Sequence, residues 1–171
     1  MKIKTIELKG YKLFKGKRAF KFSDRLNLVS GSNGSGKTIL FNALRESIAG
    51  KVPSVKISLE GNLDDFRKNS NLIFIDEEQV RKNVTNEPLL EDNRSAGSRD
   101  FAALMAILVK RESIQKNLPL VMDAHVFGTM DLAYREKLFG TILQLKTQVI
   151  LFEHDFKGMK GGKRHRLRVK R

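Results

Sequence analysis

The chain is 171 residues long and 40% apolar, with 33 Lys and Arg against 19 Asp and Glu, a formal net charge of +14. That length and apolar content suit one folded domain with its own core and exclude a disordered chain. No apolar run approaches the roughly 18 residues of a membrane span, no cysteine is present for disulfides or thiolate metal sites, and Met1-Lys2-Ile3-Lys4 opens no apolar leader, so a cytoplasmic protein is expected.

The positive charge gathers at the two ends. Residues 2–21 carry Lys2, Lys4, Lys9, Lys12, Lys15, Lys17, Arg18 and Lys21 against Glu7 alone, and residues 157–171 are basic with no acid. Such an excess fits a polyanionic partner, DNA above all, because lysine and arginine gain affinity by releasing counterions from a phosphate backbone. A thermophile's charged surface or a solvated tail has the same composition, so both readings stand at this point.

In chain order, Ile3 to Leu8 and Ala19 to Phe22 alternate apolar and polar residues, which predicts half-exposed antiparallel strands. Leu26-Asn27-Leu28-Val29 reads as a buried strand running into a glycine loop. Leu40, Ala43, Leu44 and Ser47 then recur at helical spacing until Gly50. Val55 to Leu59 alternates again, and Leu72-Ile73-Phe74-Ile75 predicts a buried strand. Residues 81–98 are polar and read as irregular, with Pro88 and Gly97 as loop markers. Phe101, Leu104, Met105 and Leu108 form one apolar helical face. Leu118 to Met122 predicts a buried strand ending on Asp123. Tyr134, Leu138, Ile142 and Leu145 mark a third helix, and Val149 to Phe152 a further buried strand closing on Glu153-His154-Asp155. After Gly158, Gly161 and Gly162, Leu167 and Val169 predict a last edge strand. Buried strands alternating with helices predict an α/β fold with a mostly parallel central sheet, to which the N-terminus adds an antiparallel layer.

The strongest motif is Gly31-Ser32-Asn33-Gly34-Ser35-Gly36-Lys37-Thr38, which fits G-x-x-x-x-G-K-[ST] between a predicted strand and a predicted helix. In such a P-loop the backbone N–H groups of Asn33, Gly34, Ser35 and Gly36 turn around phosphate oxygens with help from the helix dipole. Lys37 is expected to reach the β- and γ-phosphates of ATP, and the Thr38 hydroxyl to ligate Mg²⁺. Asp123, at a strand end far down the chain, suits a second carboxylate for that Mg²⁺; capping the next turn is the plainer alternative.

Taken together these motifs resemble an ABC-type ATPase. Asp123 to Asp131 resembles the Walker B and D-loop stretch, and Arg94-Ser95-Ala96-Gly97-Ser98-Arg99-Asp100 resembles the ABC signature opening a helix. Phe74 to Gln79 sits where the Q-loop belongs, and Glu153-His154-Asp155 resembles the switch-histidine loop. Ile6 to Gly16 resembles the N-terminus of the chromosome-maintenance and repair branch, which holds the SMC proteins, RecF, RecN, the double-strand-break repair ATPase and DndD-like proteins. The resemblance implies a single P-loop NTPase domain with a P-loop and Q-loop half (1–80), a short connector (81–98) and a second half (94–171). It implies ATP and Mg²⁺ as ligands, Thr38, Gln79 and Asp123 around the metal, and Lys37, Asp123 and His154 in hydrolysis. It also implies a homodimer in which Ser95 and Gly97 of one subunit face the γ-phosphate held by the other, with DNA and a nuclease or other repair protein as partners. Standing alone, Ser95 or Ser98 is an ordinary helix cap and His154 an ordinary surface or core histidine.

Three departures from the family pattern matter. Ala124 stands where most relatives place a water-polarising glutamate, and an alanine accepts no proton. Glu77, Glu78, His125 and His154 are the substitutes this leaves, and a nucleotide-gated binding module with little turnover is the second reading. Arg94 and Ser98 replace the leucine and the Gln or Glu of the signature. No heptads separate Gln79 from Ser95, so the long coiled coil of SMC-like relatives is absent between them. A transporter's energising subunit is the third reading, disfavoured by the missing helical insert.

Overall fold

The computed structural model describes residues 1–86, 95–114, 117–154, 156 and 161–167. Strands β1 (Lys2–Tyr11) and β2 (Phe14–Lys21) form a hairpin, and β3 (Leu26–Ser30) leads through the P-loop into helix α1 (Lys37–Ile48). The chain continues through β4 (Val55–Glu60), α2 (Leu63–Lys68), α3 (Ser70–Ile73), β5 (Phe74–Ile75) and α4 (Glu77–Asn86). The second half comprises α5 (Ala96–Ile114), β6 (Leu120–Met122), a 3₁₀ turn (Ala124–Phe127), α6 (Leu132–Gln144), β7 (Val149–Glu153) and β8 (Lys163–Arg166).

These strands make two sheets. A parallel one runs β5-β6-β7-β3-β8, and an antiparallel one runs β2-β1-β4. The expected α/β architecture with an added antiparallel layer is therefore present. The third strand of that layer, β4, comes from beyond α1 rather than from the N-terminus.

Period-two alternation in the parallel strands feeds two cores. Val29, Val121, Ile150 and Phe152 face α1 and the antiparallel sheet, where Phe41 packs edge-on against Phe74 and Phe152. Leu28, Leu120, Met122, Val149 and Leu151 face the opposite side, under α5 and α6. Strands buried on both faces read as continuous apolar runs, which is why they were legible in the sequence.

A polar stitch joins the two sheets. Near its start β1 runs past the end of β2, whose last pair is Thr5 with Lys21, and Gln148 takes over as partner. Its Oε1 accepts from the Ile3 N–H at 2.7 Å, while its Nε2 donates to the Ile3 and Ser23 carbonyls, each at 2.8 Å. Asn27, fully buried on β3, likewise accepts from Ser23 N–H and donates to the Ser23 and Val149 carbonyls.

The structure departs from the sequence expectation in three places. Only Phe74 and Ile75 of the apolar run 72–75 form strand; Leu72 belongs to α3, where the N–H groups of Leu72 and Ile73 both donate to the Asn69 carbonyl. So short an apolar run carries no period to separate helix from strand. The polar stretch from 81 is helical as far as Asn86. Asp76 and Gln79 close a reciprocal cap on α4, Gln79 N–H to Asp76 Oδ1 at 3.0 Å and Asp76 N–H to Gln79 Oε1 at 3.3 Å, and the pairs Arg81–Glu77 and Lys82–Glu78 line its surface. The last strand is Lys163–Arg166, ahead of Leu167. Pro88, Arg94, Asp155, Gly158, Val169 and much of the basic tail lie outside the described residues.

Because Gln148 satisfies three buried backbone groups at once, Gln148→Ala should lower the free energy of unfolding by roughly 1–3 kcal/mol, the cost of stranding such groups. Urea denaturation with an unchanged m-value checks this; a loss of a few tenths would remove Gln148 from the account.

Candidate functional site

The parallel sheet delivers its polar residues at one edge. β3 pairs in register with β7, so Ser30 lies opposite Glu153, and the loop that follows Ser30 opens beside His154. Strand β6 ends next to β7, with Asp123 anchored by its N–H to the Ile75 carbonyl at 3.0 Å. A cleft of about 340 Å³ lies there, bordered by the P-loop, the Ala124–Gly128 segment, the Glu153-His154 corner and Leu13 from the β1–β2 turn.

The P-loop takes left-handed backbone at two glycines. Gly34 (φ 76°) and Gly36 (φ 95°) are left-handed, which side chains disfavour. A Cβ on Gly36 would also lie 3.0 Å from the Phe14 ring. Gly36 caps α1 without a side-chain hydrogen bond, and the first turn of α1 holds no acid. The orphan N–H groups and positive dipole end of a twelve-residue helix therefore face the loop. Lys37 folds back so that its Nζ donates to the Gly31 carbonyl at 2.6 Å and the Ser32 carbonyl at 3.0 Å. Burial lowers its pKa, opposed by the charges of Glu153 and Asp123.

Several sequence-expected residues converge here. Asn33, Gly34, Gly36, Lys37, Thr38 and His154 border the cleft. Ser35 is buried behind it, its Oγ without a hydrogen-bond partner among the described residues. Asp123 sits one step behind Thr38. Burial raises its pKa; the Ala124 N–H, the nearby His125 and a Thr38 hydrogen bond pull it down, while Asp76 pushes it up. Its Oδ1 is buried and lacks a partner among the described residues. An orphaned buried carboxylate oxygen beside a threonine hydroxyl is a donor set that suits Mg²⁺, a hard oxygen-seeking cation.

Gln79, Ser95 and Gly97 stand elsewhere. The Gln79 side chain is occupied by the α4 cap and by donation to the Asn71 carbonyl at 3.1 Å. Ser95 is exposed and its Oγ accepts from Ser98 N–H at 3.3 Å, as a helix cap does. Gly97 is buried because α5 crosses the next segment closely: a Cβ there would meet the Thr129 carbonyl oxygen at 2.5 Å. Thr129 Oγ1 also donates to the Asp100 carboxylate, tying the start of α5 to residues 128–130. Of the substitutes considered for Ala124, His125 and His154 border the cleft, and Glu77 and Glu78 do not.

Glu153 also borders the cleft, although the switch-histidine resemblance assigns it no role. The signal was a carboxylate closing an otherwise apolar strand, Val149-Ile150-Leu151-Phe152. Leu13, 55% exposed, was likewise missed because a lone surface leucine on a turn carries no pattern.

Residues 5–148 match the AAA-domain family. The chain belongs to that family. This AAA domain resembles the SMC head domain from Thermotoga maritima with a TM-score of 0.65, at 19% identity, covering 91% of this chain and 90% of that one. It also resembles a protein described as a cobalt transport ATP-binding protein, with a TM-score of 0.50 and 18% identity, over 90% of this chain and 71% of that one. The AAA domain described here thus has the fold of an SMC-like ABC ATPase head, a P-loop NTPase. No curated protein matches the sequence. No helix among the described residues is long and apolar enough to cross a membrane.

Asp123 offers a stability test. Its folded pKa is raised, so the folded state holds the proton more tightly than the unfolded chain. Its charge penalty is present above the folded pKa and is relieved as pH falls through it. Asp123→Asn should raise the thermal midpoint at pH 7. The gain should vanish in acid. A lower midpoint at pH 7 would contradict the desolvation account.

Proposed function

We propose that this chain is an ATPase head that binds ATP·Mg²⁺ at the P-loop and forms an ATP-sandwiched homodimer acting on DNA in repair, recombination or maintenance. The observation that carries the reading is the joining of the glycine cradle, the bare α1 N-terminus, Lys37, Thr38 and His154 around one cleft, with Asp123 behind it. Backbone N–H groups of residues 33–36 would hold phosphate oxygens, and Lys37 would exchange its carbonyl partners for the β- and γ-phosphates. Leu13 supplies an apolar wall against which a planar base can rest. Thr38 and Asp123 would hold Mg²⁺, which bridges phosphate oxygens and neutralises the charge that develops in phosphoryl transfer.

The sandwich is supported by the start of α5. Ser95 is exposed there and the first turn is free of acid, so its N–H groups can receive a partner's γ-phosphate. Exposed Lys9, Lys12, Lys15 and Lys17 on the β1–β2 hairpin suit a polyanion. A nuclease or another repair protein fits as a further partner. The second reading, a nucleotide-gated module with slow turnover, is favoured by Ala124 in place of a base.

Lys37→Ala should weaken ATP far more than AMP, because the ammonium serves the β/γ end of the cradle. Equal losses in calorimetry would place Lys37 elsewhere.

ATP·Mg²⁺ should double the mass seen by light scattering, and Ser95→Arg should abolish that doubling while sparing ATP binding. A monomer at saturating ATP would sink the sandwich. Duplex DNA should bind with an affinity that falls steeply as salt rises, and absence of binding at low salt would remove DNA as the client.

A further inference from the structure

We infer that Glu153 is the general base of this ATPase, replacing the carboxylate that Ala124 lacks. The inference rests on the ATPase reading above and adds the residue that handles the proton.

Three observations carry it. The first is proximity. β6 ends at Met122, opposite Leu151 of β7; Ala124 opens the 3₁₀ turn two residues on, Glu153 ends β7, and both border the cleft. A carboxylate missing after β6 is thus present at the end of the neighbouring strand. The second is placement. Glu153 borders the cleft together with Lys37, Thr38, Ala124 and His154, and its charge is felt by the Lys37 ammonium.

The third is how its two oxygens are used. Oε1 is fixed, accepting from the His154 N–H at 2.7 Å. Oε2 is buried and accepts no hydrogen bond among the described residues. The Arg135 guanidinium stands 3.9 Å from Oε2, outside hydrogen-bond range, while Arg135 Nε donates to the Met130 carbonyl at 3.0 Å. One oxygen therefore holds the carboxylate in place, and the other, an ion-pair partner of Arg135, keeps a lone pair that no hydrogen bond uses, the group a positioned base requires once a water reaches it.

The step balances simply. The water oxygen bonds to the γ-phosphorus while the bond from that phosphorus to the β,γ-bridging oxygen breaks. ADP leaves with the electron pair, and the water's proton passes to Glu153 Oε2, which releases it with phosphate. His154 and His125 border the same cleft but are exposed. Counter-ion to Lys37 is the competing role for Glu153, and it predicts a loss of nucleotide affinity instead.

Glu153→Gln keeps the shape and removes the base. In the full chain with matched thermal midpoints, it should lower kcat by ~10²–10⁴-fold. ATP affinity by calorimetry should hold, and the ATP-bound dimer should persist longer in light scattering. Glu153→Asp should retain part of the rate. Adding Ala124→Glu to Glu153→Gln should restore turnover, since the carboxylate returns to the same cleft, an outcome a merely structural role would not give. Wild-type turnover in Glu153→Gln, or an ATP affinity lost as steeply as in Lys37→Ala, would overturn the inference and leave the ATPase reading intact. A wild-type chain that binds ATP·Mg²⁺ without hydrolysing it would overturn both.

Discussion

The in-register parallel pairing of β6, β7 and β3 is the constraint on which the site depends. All three strands are largely buried on both faces, and apart from Asn27, whose side chain is taken up by backbone partners, they present polar groups only where they end. Pairing Ser30 with Glu153, and Met122 with Leu151, brings those ends level. The P-loop, Asp123 and the Glu153-His154 corner then meet, although residues from 31 to 154 separate them in the chain. A shift of one residue in either register would move a chemical group by about 3.3 Å, the difference between touching a phosphate and missing it.

Polar satisfaction is distributed unevenly around this edge. Away from the cleft, Gln148 and Asn27 find partners for their buried groups, and the buried Arg111 donates to the Leu118 carbonyl and to Glu112, pinning α5 to the start of β6, while Arg111 Nε and His165 Nε2 have no hydrogen-bond partner among the described residues. At the cleft, Ser35 Oγ, Asp123 Oδ1 and Glu153 Oε2 have none among the described residues, and two glycines hold left-handed backbone. Unpaired buried oxygens cost stability, and their clustering where the glycine cradle opens is what a preorganised binding site requires. The rest of the fold, with its two aromatic-rich cores, offsets that cost.

Charge behaves differently in the structure than in the composition. Lys2 and Lys4 share Asp24 and Glu60, and hydrogen bonds from Lys2 and Lys4 lower the Asp24 pKa to about 2. Lys17 lies 3.2 Å from Glu7. Exposed pairs of this kind add little stability, but they reduce the charge the N-terminal run offers to a polyanion. Lys9, Lys12 and Lys15 remain exposed on the hairpin whose turn carries Leu13 to the cleft. Any coupling between a bound polyanion and the nucleotide would begin at that hairpin.

Local chemistry was legible before folding. The glycine spacing of the P-loop, the helical faces of α1, α5 and α6, and the doubly buried strands each depend on neighbours a few residues apart, so the linear pattern carries them. Asp123 and His154 were also readable as strand-end groups, and the structure sets His154 at the cleft and Asp123 beside Thr38. It did not separate helix from strand at 72–75, because so short a run has no period, and it missed α4, whose Asp76–Gln79 cap is hidden in polar composition. Only the tertiary structure decided that β4 joins the N-terminal sheet, that Gln79 caps a helix away from the cleft, and that Glu153 and Ala124 border the same cleft. Those facts live in strand order and register, which are set by packing between residues far apart in the chain, and no local pattern encodes them.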